Sequence, residues 1–174
     1  MQADLMETDE VLVIEFGETG IADELALRVP ARIIEYQPQK YAALPVHTTM
    51  AFVERPELVV VPGAYEFGLG MLKWQDRWIS VIDLGALLHG VPRVDSGARP
   101  HVMVLAYQTA PNQALQYAGI ATTSLPVTVS VADEQQALLP EDSPLWPVIA
   151  ISCFTHEGRA IPILDTSRLF DLEF

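Results

Sequence analysis

The sequence predicts an all-β protein built as two similar small barrels packed side by side, and three observations carry that reading. Short apolar, β-branched runs alternate with turn residues along the chain. The thirteen prolines sit mostly between those runs, where a missing N–H removes no ladder hydrogen bond. The third is an internal repeat: residues 70–88 (GMLKWQDRWISVIDLGALL) and 152–170 (SCFTHEGRAIPILDTSRLF) align without a gap.

The expected strands run in order. Val11–Phe16 (VLVIEF) comes first. Residues 32–36 and 41–46 flank a QPQK turn, and 50–53, 58–61 and 68–74 follow. Then come 77–82, 101–107, 115–122, 126–131, 148–155 and 159–164. Helix is confined to a turn or two at 85–89 and 167–172, and residues 20–29 fit helix and strand equally. Residues 1–9 are polar and acidic with no period, and are expected to lack order.

Each repeat copy reads as hairpin, cap, short helix. Two-residue turns, Gln75-Asp76 and Glu157-Gly158, join the strands and set the register. Gly70, Leu72 and Trp74 then lie opposite Val81, Ile79 and Arg77, while Ser152 and Phe154 lie opposite Ile163 and Ile161. Leu72, Ile79, Val81, Phe154, Ile161 and Ile163 form the expected core faces. Asp83 and Asp165 end the second strands, placed to accept hydrogen bonds from the free N–H groups of the helical turn.

Composition removes several function classes. Half of the residues are hydrophobic, enough to build a core. Acidic residues outnumber basic ones 23 to 10, for a net charge of −13. A nucleic-acid surface needs clustered Lys and Arg to displace counterions, so nucleic acid and anionic membranes are not expected partners. The single cysteine, Cys153, cannot form an internal disulfide, and alternation puts it on the non-core face of its hairpin. No signal-like segment or run of membrane-spanning length is seen, so a soluble cytoplasmic protein is expected.

The chemical constellations are weak. Asp83 and Asp165, one in each repeat, bring an aspartic-protease pair to mind, but Leu84 stands where a supporting hydroxyl is needed and Ser167 where glycine is needed. Capping explains both without catalysis. His47, His89, His101 and His156 lack metal-ligand spacing, so no metal or cofactor is expected. At the first hairpin tip, Trp74 and Arg77 are placed to form a cation–π pair, and Lys73, Trp74, Gln75, Arg77 and Trp78 form the candidate partner-binding surface. Trp78 faces away from the Leu72/Ile79 core. The rival expectation is an enzyme or small-molecule sensor using a cleft between the lobes.

The ordered motifs Ala43-Leu44-Pro45-Val46, Gly70-Met71-Leu72, Val81-Ile82-Asp83-Leu84, 102–105, Gly119-Ile120 and Ile163-Leu164-Asp165 resemble those of the CheW-like domain of bacterial chemotaxis systems. The likeness covers residues 32–172 and leaves 1–31 as an N-terminal extension. It implies two SH3-like five-stranded barrels with short helices. It also implies a non-catalytic adaptor that couples a chemoreceptor tip to a CheA-like histidine kinase. Most members carry Arg-Gly where this chain has Gln75-Asp76, and the strand with Gly119 often ends in Asp where Thr122 stands. These departures point to a divergent member, from a type IV pilus (twitching motility) chemotaxis-like system.

Overall fold

The computed structural model describes residues 3–8, 11–16, 28–91 and 98–173. Among them are twelve strands: β1 (Ala3–Thr8), β2 (Val11–Phe16), β3 (Arg28–Gln37), β4 (Lys40–Pro45), β5 (Thr49–Val53), β6 (Gly68–Trp74), β7 (Arg77–Ile82), β8 (His101–Tyr107), β9 (Gln116–Thr122), β10 (Val127–Ala132), β11 (Ala150–His156) and β12 (Arg159–Leu164). Three short helices accompany them: α1 (Leu84–His89), α2 (Trp146–Ile149) and α3 (Thr166–Phe170).

One sheet has the order β1-β2-β5-β8-β9-β7-β6, and the other β10-β3-β4-β12-β11. Strands β5 to β9 make the first lobe, and β3, β4 and β10 to β12 the second. The two lobes share one topology. In the first, β7 lies parallel to β9 through Val81↔Gly119; in the second, β12 lies parallel to β4 through Ile163↔Ala43. Each lobe is tied across its open side in the same way. Val59 N–H donates to the Met71 carbonyl at 2.9 Å, and Ala137 N–H donates to the Cys153 carbonyl at 2.9 Å.

These correspondences reveal a second repeat. The β3–β4 hairpin matches β8–β9, with Tyr36-Gln37 paralleled by Tyr107-Gln108, and Tyr41-Ala42-Ala43-Leu44 by Tyr117-Ala118-Gly119-Ile120. The chain is therefore an exchanged duplication. Residues of β3–β7 give a hairpin to the second lobe and three strands to the first, and β8–β12 do the reverse.

Three apolar clusters follow from this exchange. The first lobe encloses Ala51, Val53, Leu72, Trp74, Ile79 and Val81 among its buried residues, and the second encloses Ala31, Ile33, Ala43, Phe154 and Ile161. The largest cluster lies between them, with Ile34, Leu44, Phe52, Met103, Leu105, Trp146 and Leu164 fully or nearly fully buried. Central strands such as β3 and β8 therefore bury both faces, one in their own barrel and one in the shared core. The two repeat helices also cross over: α1, following the first lobe's β7, packs on β3, while α3, following the second lobe's β12, packs on β8. Arg32 adds a polar lock, its Nε donating to Thr49 Oγ1 at 2.7 Å and its Nη1 to Thr128 Oγ1 at 3.0 Å. Burial lowers its pKa to about 10, which leaves it charged at neutral pH.

Several expectations need correction. Residues 58–61 make no strand; Pro56 and Pro62 bracket them and only Val59 pairs, with Met71. The strand expected from residue 148 begins at Ala150, because Pro147 suits the first turn of α2. Residues 3–8, expected to lack order, form β1, whose ladder comes from pairing with β2 rather than from any apolar period of its own. Ile163 is only half-buried, since its lobe encloses a smaller interior. Cys153 is buried despite lying on the face opposite Phe154, because the segment at Ala137 runs alongside its strand. The stretch 20–27, within the one read as helix or strand, lies outside the described residues.

Candidate functional site

The first hairpin presents the candidate surface. Its register is the one expected, with Leu72↔Ile79, Lys73↔Trp78 and Trp74↔Arg77. Gln75 and Asp76 both adopt positive φ, 45° and 59°, the pattern of a two-residue turn that matches strand twist. Gly70 holds the other end of β6: its φ is 135°, and a Cβ there would lie 2.5 Å from the Val59 carbonyl oxygen.

The five candidate residues separate into two groups. Lys73, Gln75, Arg77 and Trp78 are exposed, Trp78 at 56%. Trp74 is buried at 7% in the first lobe's interior. The cation–π pairing differs from expectation. Arg77 lies over the Tyr117 ring, 4.7 Å from its centroid, and Trp74 packs against the same ring at 5.2 Å. Tyr117 reaches this place because β9 runs beside β7. The second lobe repeats the device, with Arg159 over Tyr41 at 4.9 Å. Sequence reasoning missed both tyrosines; the recurring Tyr-Ala pair at 41–42 and 117–118 is the signal that finds them.

The two aspartates are caps. Asp83 Oδ1 accepts from Gly85 N–H at 3.0 Å and Ala86 N–H at 3.2 Å. Asp165 Oδ1 accepts from Ser167 N–H and Arg168 N–H at the same two distances, and Arg168 Nε lies 3.3 Å from its other oxygen. The two carboxylates serve separate helices and form no shared-proton pair, so the protease-like arrangement is not present.

A groove of about 630 Å³ runs along the lobe junction. Val29, Pro30, Met50, Tyr107, Leu115 and Thr166 contribute to its walls, and His47 adds an imidazole. Among the described residues, no Asp, Glu, Arg or Lys lines it. Such walls offer mainly apolar contact and hydroxyl groups, with a lone imidazole that has no charged partner among them. A separate polar cluster joins α1 to the second lobe: Tyr36 Oη lies 3.2 Å from His89 Nε2, and Asp142 accepts from Trp146 Nε1 at 2.7 Å and from Lys40 Nζ at 3.5 Å. Burial, reinforced by the Asp142 carboxylate, pushes the Tyr36 phenol upward. Burial also raises the Cys153 thiol, which suits a structural rather than nucleophilic cysteine. Among the described residues, no group of three or more His, Cys, Asp or Glu side chains is placed to hold a metal. No helix among them is long and apolar enough to cross a membrane.

The model of the CheW-like domain family matches residues 35–174. No curated protein matches the chain. Among solved structures, the scaffolding protein TtCheW from Thermoanaerobacter tengcongensis shares the fold, with a TM-score of 0.68 at 14% identity over 84% of this chain and 94% of that one.

Proposed function

From the premise that the chain belongs to the CheW-like domain family, we propose that it is a non-catalytic, cytoplasmic adaptor of a chemotaxis-type signalling system. In this reading it couples a chemoreceptor tip to a CheA-like histidine kinase or a related partner, in a system of the type IV pilus kind. The observation that carries the reading is Trp78. It is a large aromatic, more than half exposed, on a hairpin whose interior is already filled by Leu72, Trp74 and Ile79. Burying such a ring at a contact centre is worth roughly 2 kcal/mol or more. Lys73 and Gln75 flank it on the exposed side, and Arg77 is stiffened by Tyr117. Trp74 belongs to the hairpin's support rather than to its contact face. The uncharged lining of the inter-lobe groove weighs against the cleft-based enzyme or sensor.

Gln75 stands where the family usually has Arg, which removes a charge and a planar donor fork. A changed partner preference follows, not the absence of a partner. The test is binding of Trp78→Ala and Gln75→Arg to the cognate receptor tip and kinase regulatory domain, with folding confirmed by circular dichroism. Trp78→Ala is expected to weaken one of the two by roughly 30-fold or more, the equivalent of about 2 kcal/mol. Gln75→Arg is expected to alter the ratio between them. Unchanged affinities in both variants remove this surface as the docking face.

A further inference from the structure

The outer edge of β10 has a counterpart in the first lobe that is treated differently. Strand β5 occupies in the first lobe the place of β10 in the second: β5 pairs with β8, and β10 with the equivalent β3. The free side of β5 is covered by β2, through Val13↔Val53, Ile14↔Phe52 and Glu15↔Ala51. Among the described residues β10 pairs with β3 alone and ends its sheet.

An open edge displays unpaired N–H and C=O groups, and proteins usually blunt it with charge, proline or a bulge inside the strand. Residues 127–132 (VTVSVA) contain no charge and no proline, and their ladder with β3 is regular from Val127↔Ile33 to Ala132↔Arg28. Val127 is 56% exposed, and Leu125, just before the strand, 58%.

The side-chain pattern says what fits. Strand β2 suits β5 because Ile14 meets Phe52, but the matching position on β10 is Thr128, engaged by the Arg32 guanidinium. The incoming strand must set polar residues beside Thr128 and Ser130, and apolar residues beside Val127, Val129 and Val131. Strand β10 has that pattern itself. Antiparallel pairing about Val129 sets Val127 against the partner's Val131 and Thr128 against the partner's Ser130, and Val129 meets its own copy.

We propose that the chain forms a two-fold dimer by antiparallel pairing of β10 with β10 of a second copy, joining the two second lobes into one continuous sheet. Such an interface is self-complementary and closes, so it yields dimers rather than filaments. It leaves the Trp78 surface on the first lobe free, so the assembly offers two tip hairpins and binds a multivalent partner array with avidity. The dimer itself does not depend on the adaptor reading.

Light scattering after size-exclusion chromatography, over a dilution series of the full chain, should show a dimer that dissociates on dilution. Val127→Glu sets a carboxylate in the apolar seam and should give monomers with an unchanged melting curve. Val129→Cys in a Cys153→Ala background should form an inter-chain disulfide under mild oxidation, while Ser80→Cys, on the first lobe, should not. A chain that stays monomeric at every concentration and does not cross-link through position 129 overturns the proposal, whatever other polypeptide takes that edge. A dimer indifferent to Val127→Glu that does not cross-link at 129 overturns it too, by placing the contact elsewhere.

Discussion

In the first lobe Leu72, Ile79 and Val81 are shut inside an interior of nine buried residues among those described; their counterparts Phe154, Ile161 and Ile163 line one of five, and Ile163 reaches its rim. The strands, the parallel seam, the cap and the Arg–Tyr pair recur in both. What differs is how each lobe meets its surroundings. The first gains β2 along its β5 edge and carries an exposed tryptophan near its tip. The second, among the described residues, leaves β10 unpaired on its outer side, and it has Ala160 where the first has Trp78. A duplicated framework thus keeps the residues that shape the barrel and lets tips and edges diverge, because those positions contribute little to the core and are free to serve contacts.

The comparison is tested most severely in the cores. Leu72→Ala should destabilise by about 2–5 kcal/mol and Phe154→Ala by about 3–5 kcal/mol, read from chemical denaturation. Because the shared cluster of Ile34, Leu44, Met103 and Leu164 joins the lobes, both variants should shift one cooperative transition. Two separate transitions, each moved by only one variant, would break the picture of a common core.

The caps come next. Asp83 is 1% exposed, so Asp83→Ala leaves two N–H groups without a partner in a dry site and should cost about 2 kcal/mol. Asp165→Ala, at the more solvated cap, should cost about 0.5–1 kcal/mol. Equal losses would show that burial does not distinguish the two units.

The turns should give a smaller, reciprocal effect. Asp76 holds a φ of 59° without being glycine, whereas its counterpart Gly158 holds 75°. Asp76→Gly should stabilise by about 1 kcal/mol and Gly158→Asp should destabilise by a similar amount, read from melting temperatures.

The smallest effect belongs to acid pH. Burial would raise the Glu35 carboxyl, but hydrogen bonds from Thr123, Gln39 N–H, Ser124 and Tyr41 outweigh it and hold it below its ordinary value. A carboxyl lowered on folding stabilises above its unfolded value and loses that contribution as pH falls through the folded one. Glu35→Gln should therefore lower the neutral and alkaline plateau of a stability–pH curve by a constant amount, leave its slope there unchanged, and flatten the acid limb. The equivalent position on β8 is Ala106, which has no carboxyl to titrate. An unchanged acid limb would show that Glu35 is not linked to folding.

Much of this was legible in one dimension. Alternation located eleven of the strands, β2 to β12, the two-residue turns set Lys73 opposite Trp78, and Asp83 and Asp165 announced their helices by position alone. These features depend on residues close in sequence, where periodicity and turn geometry act directly. The exchange of hairpins between halves was not legible, although the Tyr-Ala recurrence is written there, because strand order across β7–β9 and β12–β4 is a choice among distant pairings.

The sequence by itself determined the elements, the repeat and the inward face of each hairpin, since a period of two and a fixed register leave no freedom once the turn is set. Tertiary structure alone decided that Trp74 is enclosed while Trp78 is not, that Arg77 finds Tyr117, and that Cys153 is buried. Each of these depends on which distant segment arrives beside the strand: β9 at the first hairpin, the stretch around Ala137 at the second. Burial is a property of neighbours, and the neighbours come from packing two lobes around one shared core.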